Sequence, residues 1–250
     1  MAVDYALSRG IATITLDSPS NRNALSSGLV TALSEHLEVA ATDAGVRAVV
    51  LTHTGGTFCA GADLDEAAAP GGADQGTRRV IALLRLMIEH PKPLIACVDG
   101  HVRAGGLGLL GACDIVLAGA RSTFAFSETR IGVAPAMITL TLLPVLAPRA
   151  ASRYLLGGES FTAAQGVEIG LVTVAPDDLP AALAAQLDAL RQCAPSALAA
   201  TKRLLTERTR ARFSAQADEL AALSAALFTG PDGQEGIAAF REKRRPRWTL

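Results

Sequence analysis

Residues 96–115 read ACVDGHVRAGGLGLLGACDI, and the rest of the chain is organised around them. The stretch grows out of an apolar run, 94–98, led in by Pro91 and Pro93 and strand-like in pattern. Asp99-Gly100 then turns the chain. His101, Val102 and Arg103 lead into Ala104-Gly105-Gly106. From there Leu107, Leu109, Leu110 and Ala112 read as a helix buried on most sides, and a second apolar run, 115–118, follows Asp114. Glycine at a loop-to-helix junction lets another molecule approach the backbone closely. The first turn of a helix carries unpaired N–H groups and a partial positive charge. The junction is therefore suited to holding negative charge on an oxygen. Tight packing alone would also account for its small residues. Gly106, Gly108 and Gly111 spell a literal G-x-G-x-x-G. Dinucleotide-binding glycines, however, follow their strand almost at once in a first βαβ unit, whereas here residues 100–104 intervene in mid-chain.

Composition narrows the class. The chain has 250 residues, half of them hydrophobic, and a net charge of −1. That is enough for one large α/β domain, or a core with an appendage. No basic patch marks a nucleic-acid partner. The four cysteines, Cys59, Cys97, Cys113 and Cys193, have no C-x-x-C spacing and read as small thiols in a reducing compartment. The N-terminus lacks a basic region followed by an apolar stretch, and no apolar run reaches spanning length. A soluble cytoplasmic protein with no membrane partner is expected.

Along the chain, 3–7 and 11–16 read as a hairpin joined at Arg9-Gly10. Ser26 caps a helix to about residue 41, with Leu29, Leu33 and Leu37 on one face. Residues 46–52 form a buried strand, 54–61 a Gly-rich loop, and 62–68 a short helix with Asp63 and Asp65 in its first turn. Residues 69–76, rich in Ala, Pro and Gly, are expected to be mobile, followed by a helix over 77–90. Beyond the central stretch come a strand at 123–126, a Gly/Pro loop at 131–136, and helices over 137–146, 148–156 and 163–169. After a last extended run, 171–174, everything reads helical. Strand–helix alternation followed by helices predicts an α/β core over 1–178 and a helical region over 179–250.

Two Gly-rich junctions, 55–64 and 104–106, each join a strand to a helix start. With Asn21-Arg22-Asn23-Ala24-Leu25, residues 124–135, 162–172 and 235–244, they closely resemble the enoyl-CoA hydratase/isomerase (crotonase) family, over nearly the whole chain. The resemblance implies a crotonase-like ββα spiral core and a helical C-terminal trimerisation region, giving a homotrimer or dimer of trimers. It implies an acyl-coenzyme A substrate and no metal or redox cofactor, coenzyme A entering as part of the substrate. It assigns Ala62 and Gly105 as backbone N–H donors to the thioester oxygen. Removing or adding a proton beside a thioester creates an enolate, which paired preorganised donors stabilise. Arg22, Ala24, Ala60, Asp63 and Leu64 fall where the family meets coenzyme A. Phe240 and Lys243 lie on a C-terminal helix that reaches a neighbouring subunit's ligand. For Arg22 and Lys243 the plain alternative is a solvated charge.

Enolate chemistry needs a proton carrier. Glu128, after Phe124 and Phe126, is the carboxylate placed for it, and an apolar setting would raise its pKa toward working pH. Pairing with Arg130 is the structural alternative. The well-known hydratases of this family carry a second glutamate at the position of Gly108. With one carboxylate, the family offers double-bond isomerases. The run Glu128 to Pro135, together with Gly108, also resembles hydratases of glutaconyl-type thioesters, branched and carboxylated. Gly108 would then leave open space beside the reacting carbons. Arg103 or Arg130 would recognise the acid group. The expectation leans to a hydratase. An isomerase and a non-catalytic acyl-CoA-binding paralogue stand as alternatives.

Overall fold

The computed structural model describes residues 2–250. Among these described residues are nine strands: β1 (Val3–Ser8), β2 (Ile11–Leu16), β3 (Ala48–His53), β4 (Thr57–Cys59), β5 (Leu94–Val98), β6 (His101–Arg103), β7 (Ile115–Ala118), β8 (Thr123–Ala125) and β9 (Phe161–Thr162). They build two sheets, one ordered β1-β2-β3-β5-β7 and the other β4-β6-β8-β9. β1 and β2 are antiparallel and joined at Arg9-Gly10, where both residues have positive φ, the twist that a two-residue hairpin favours. From β2 onward the large sheet is parallel, with Val49 opposite Leu94 and Ala96 opposite Val116.

Each turn of the chain lays one strand in the large sheet and the next in the small one: β3 then β4, β5 then β6, β7 then β8. β4, β6 and β8 of the small sheet are parallel, Cys59 opposite Val102 and Val102 opposite Phe124, with one register shift between Thr57 and Cys59, and β9 pairs antiparallel with β8. This is a ββα spiral. The chain therefore leaves β4, β6 and β8 from one edge, and the junctions that follow converge.

The helices are α1 (Ser27–Thr42), α2 (Leu64–Ala68), α3 (Gly72–Glu89), α4 (Gly105–Ala112), α5 (Thr139–Leu142), α6 (Pro148–Gly157), α7 (Ala163–Glu168), α8 (Leu179–Arg191), α9 (Pro195–Leu205), α10 (Glu207–Thr229) and α11 (Pro231–Arg241). Ser26 caps α1 by accepting from the Leu29 N–H, and Thr162 and Gln165 form a reciprocal capping box on α7. One face of the large sheet packs on α1, α3 and α4 through Leu33, Leu37, Leu84 and Leu109. The other face packs Ile11, Val50, Ile95 and Leu117 against Leu187 and Leu190 of α8. Burial on both faces is why β3 and β5 read as continuous apolar runs rather than alternating ones. α9 is pinned to the core by Lys202, whose buried Nζ donates to Asp114 at 2.7 Å and to the Lys92 carbonyl at 3.2 Å.

The structure corrects several boundaries. Residues 72–76, expected to be part of a loose loop, are the first turns of α3, and the 137–146 helix shrinks to α5 flanked by turns. β4, β6 and β9, and with them the small sheet, were not foreseen. The apolar residues of α10 are largely spent within the chain, since Phe228 is buried and Leu220 packs on the core, while Leu223 stays exposed.

Candidate active site

The loop after β1–β2 closes onto β4 before any site residue is placed. Asn23 is fully buried, its Oδ1 accepting from the Ser18 N–H at 2.6 Å and its Nδ2 donating to the Thr57 carbonyl at 2.8 Å. The Ala60 N–H donates to the Arg22 carbonyl, and the Leu25 N–H to that of Gly61. Arg22 and Ala24 are thereby fastened alongside Ala60 and Ala62.

The two Gly-rich junctions interlock. A Cβ on Gly61, at φ +95°, would meet the Ala104 Cβ at 2.9 Å and the Gly105 nitrogen at 3.4 Å. A Cβ on Gly106 would lie 2.7 Å from the Cys59 Cβ. Only glycine fits at both, so the backbones after β4 and β6 nearly touch. Cys59 is sealed in by this packing, and burial pushes its thiol up to about 12. Ala104 takes φ 46°, ψ −122°, a conformation costly for a residue with a side chain. The Ala104 N–H is held by the Ala125 carbonyl of β8 at 3.0 Å. The N–H groups of Ala62 and Gly105 donate to no backbone carbonyl among the described residues. Gly105 opens α4, where such N–H groups have no intrahelical partner.

Both junctions border a cavity of about 660 Å³, and Glu128 borders it too. Glu128 opens a 3₁₀ turn, Glu128–Ile131, directly after β8. It is 7% exposed, and its Oε2 has no hydrogen-bond partner among the described residues. Burial raises its pKa to about 7. The pairing with Arg130 considered above does not form: the Arg130 Nε donates to the Gly157 carbonyl at 3.0 Å.

Of the other expected contacts, Arg22, Ala24, Ala60, Asp63, Leu64, Arg130 and Phe240 line the cavity. Asp63 also caps α2, accepting from the N–H groups of Asp65 and Glu66. Three expectations are corrected. Arg103 turns away from the cavity, its guanidinium donating to the Val102 and Thr123 carbonyls and to the Thr123 hydroxyl. Lys243 lies not on the C-terminal helix but two residues past the end of α11, exposed and outside this chain's own cavity. Gly108 does not line it either, and opens no space: a Cβ there would lie 2.6 Å from the Ile138 Cγ2. Phe240 borders this chain's own cavity, because α11 folds back across the turn that carries Glu128. Gly132 and Gly236 permit that approach, since a Cβ on either would collide with backbone across the contact.

Sequence reasoning missed the apolar wall of Val133, Pro135, Met137 and Phe228, and the rim residues Arg241 and Arg244. Arg241 donates to the Leu64 carbonyl, and Arg244 to Glu235 and Glu242. The helical reading of the chain beyond residue 174 said nothing of what Phe228 would face.

Two convergent N–H donors beside a carboxyl that titrates near neutrality, in an apolar cavity, suit an enzyme that stabilises an enolate. The sequence profile of the enoyl-CoA hydratase/isomerase family matches residues 6–250, and the chain belongs to that family. It is 37% identical over 237 residues to a 2,3-dehydroadipyl-CoA hydratase of Escherichia coli, covering 93% of this chain and 92% of that protein. It is 33% identical to an enoyl-CoA hydratase of Mycobacterium tuberculosis, over 94% of this chain and 91% of the relative. An enoyl-CoA hydratase from Mycobacterium avium, 51% identical, superposes with a TM-score of 0.94 over 99% of each chain. The protein is an enoyl-CoA hydratase-like enzyme acting in acyl-CoA metabolism. No helix among the described residues is long and apolar enough to cross a membrane.

Proposed function

We propose that the enzyme adds water reversibly across the α,β double bond of an enoyl-CoA. The thioester oxygen sits between the N–H groups of Ala62 and Gly105; the Glu128 carboxylate takes a proton from water as the water oxygen bonds to the β-carbon, and passes that proton to the α-carbon, dehydration being the reverse. The observation that carries this reading is the Glu128 carboxyl: buried, unpartnered at Oε2, and bordering the same cavity as both N–H donors. A carboxyl with a pKa of about 7 is populated in both protonation states at neutral pH, as a two-way proton carrier needs. The names of the relatives favour hydration over other reactions of the family. The Escherichia coli relative's name describes an acyl chain bearing a second carboxylate. Arg103, turned outward, takes no part in recognising that chain, which leaves Arg130, on the cavity wall, to meet its carboxylate. An acyl group that is mostly hydrocarbon suits the wall of Val133, Met137 and Phe228.

One observation favours a second reading. Ile138 fills the direction in which a residue at 108 would project, so no second carboxylate reaches the reacting carbons from that helix. A single glutamate suffices for moving a double bond, which needs one proton taken from the γ-carbon and one given to the α-carbon, or the reverse. Incubation with α,β- and β,γ-enoyl-CoA thioesters, followed by chromatography, separates the two. Formation of 3-hydroxyacyl-CoA from the conjugated thioester is the expected result. Double-bond migration with no hydroxylated product would replace hydration by isomerisation, and binding without turnover would leave an acyl-CoA-binding protein.

A further inference from the structure

Ser224 of α10 lines the cavity and is 2% exposed. Facing it on α3 is Thr77, 4% exposed, with the two hydroxyl oxygens 3.3 Å apart. One turn along the same two helices, Ala73 and Phe228 lie in one apolar cluster with Val133. The hydroxyl pair is thus fixed where α3 and α10 meet, next to the apolar wall.

Several other hydroxyls in or beside helices turn back onto their own backbone. Ser34 donates to the Val30 carbonyl, Thr206 to that of Lys202, Ser214 to that of Arg210 and Thr229 to that of Ala225. Thr77 and Ser224 do not: among the described residues each is hydrogen-bonded to the other alone. Two hydroxyls carry two hydrogens, and one mutual bond uses one of them. The second hydrogen and several lone pairs remain unmatched in a place water reaches poorly. An apolar pair would fill the same volume without that cost. Among the described residues no charged side chain hydrogen-bonds to either hydroxyl, so an anionic group would be left uncompensated there.

We propose that Thr77 and Ser224 form a specificity site for a neutral oxygen, a hydroxyl or carbonyl carried on the acyl chain away from the thioester. This rests on the enoyl-CoA reading above and narrows its substrate to oxygen-bearing chains. The unmatched hydroxyl donates to that oxygen, and the apolar wall takes up the methylenes on either side.

The test compares parent, Ser224→Ala and Thr77→Val on straight-chain enoyl-CoA thioesters of graded length, each with and without a hydroxyl at the chain end. Thr77→Val keeps the volume of the side chain, and thermal melting checks that both variants fold. The parent should prefer the hydroxylated chain at the matching length. In either variant the ratio of kcat/KM for hydroxylated over plain chain should fall about three- to tenfold, the loss of one hydrogen bond. No preference in the parent at any length, or the same preference in both variants, would overturn the proposal. Calorimetric binding of the saturated plain and hydroxylated acyl-CoA thioesters is measured alongside. A binding preference that the variants lose, without turnover of either enoyl chain, would sink the catalytic reading and leave the oxygen site standing. Turnover with no preference would do the opposite.

Discussion

Gly108 packs against Ile138. A Cβ built on Gly108 lies 2.6 Å from the Ile138 Cγ2 and 3.4 Å from the Leu84 Cδ1. Ile138 is fully buried and branched at Cβ, so it has little freedom to yield. Gly108→Ala should therefore destabilise the fold by about 1–3 kcal/mol, the usual range for overpacking. Gly108→Glu should be worse, and should be rescued in part by Ile138→Ala. Denaturant unfolding of the two single variants and the double variant checks this. A Gly108→Glu protein as stable as the parent would mean that the position opens onto free space.

Glu128→Gln keeps the shape of the side chain and removes its titrating group. Turnover should drop by about 10²–10⁴-fold with acyl-CoA binding largely kept. The same change should raise stability at alkaline pH. Glu128 has a pKa of about 7 when folded and 4.5 as its ordinary value. Between these the folded state holds the proton that the unfolded state has lost, so the parent loses stability as pH rises from 4.5 to about 7 and stays at the lower level above. The difference is on the order of 3 kcal/mol. Melting curves at pH 5 and pH 8 should show the gap between Gln variant and parent opening at the higher pH. A constant gap would deny the shift.

The same carboxyl sets the pH profile. Taking a proton from carbon requires carboxylate, so kcat/KM for dehydration or double-bond movement should rise through about pH 7. Hydration runs through the same carboxylate, which takes a proton from the attacking water and passes it to the α-carbon; because the equilibrium constant does not change with pH, kcat/KM for hydration should rise across the same range. Profiles in both directions, on one substrate pair, are the measurement. A flat profile from pH 6 to 8 in both would exclude Glu128 as the carrier.

Assembly follows from what the chain leaves uncovered. Leu204 and Leu205 are 73% and 75% exposed at the end of α9, and Leu156 stands out from α6. Adjacent exposed leucines are characteristic of a contact between chains. A homotrimer, or a pair of trimers, is the expected mass in solution, and Leu204→Asp with Leu205→Asp should shift it toward monomer. Light scattering decides, and a monomeric parent at micromolar concentration would refute it.

Much of this was legible in the sequence because it lies in local patterns. The hairpin turn, the Ser26 cap and the buried strands each declare themselves over a few residues. Ala62, Gly105 and Glu128 could be named because small residues beside a strand end, and a glutamate after two phenylalanines, are unusual enough to match a family. The small sheet was not legible, since β4, β6 and β9 are too short to carry a period. Nor was the direction of Arg103, which the pleat of a three-residue strand decides. Gly108 misled for a related reason. Sequence offers no account of what stands opposite a glycine, and Ile138 arrives there only through the packing of α5 on α4.

Gly61 and Ala104 hold the two N–H donors in place from opposite sides, and their coupling is measurable. Gly61→Ala adds a Cβ at φ +95°, 2.9 Å from the Ala104 Cβ. The loop must move, and the Ala62 N–H moves with it. Loss of one such donor costs about 10²–10³ in kcat in oxyanion sites, so a fall of that order is expected with a smaller change in KM. Ala104→Gly alone removes a side chain from a strained backbone, a relief of about 1–3 kcal/mol. Greater freedom of the unfolded glycine offsets roughly 0.5–1 kcal/mol of that gain. Ala104→Gly should therefore be neutral or mildly stabilising. It also removes the atom that the new Cβ strikes. The double variant should recover part of both stability and kcat, giving a coupling of about 0.5–3 kcal/mol in a double-mutant cycle. Strictly additive effects would show that the two junctions do not bear on one another, and the interlocked geometry would then have no part in presenting the N–H pair.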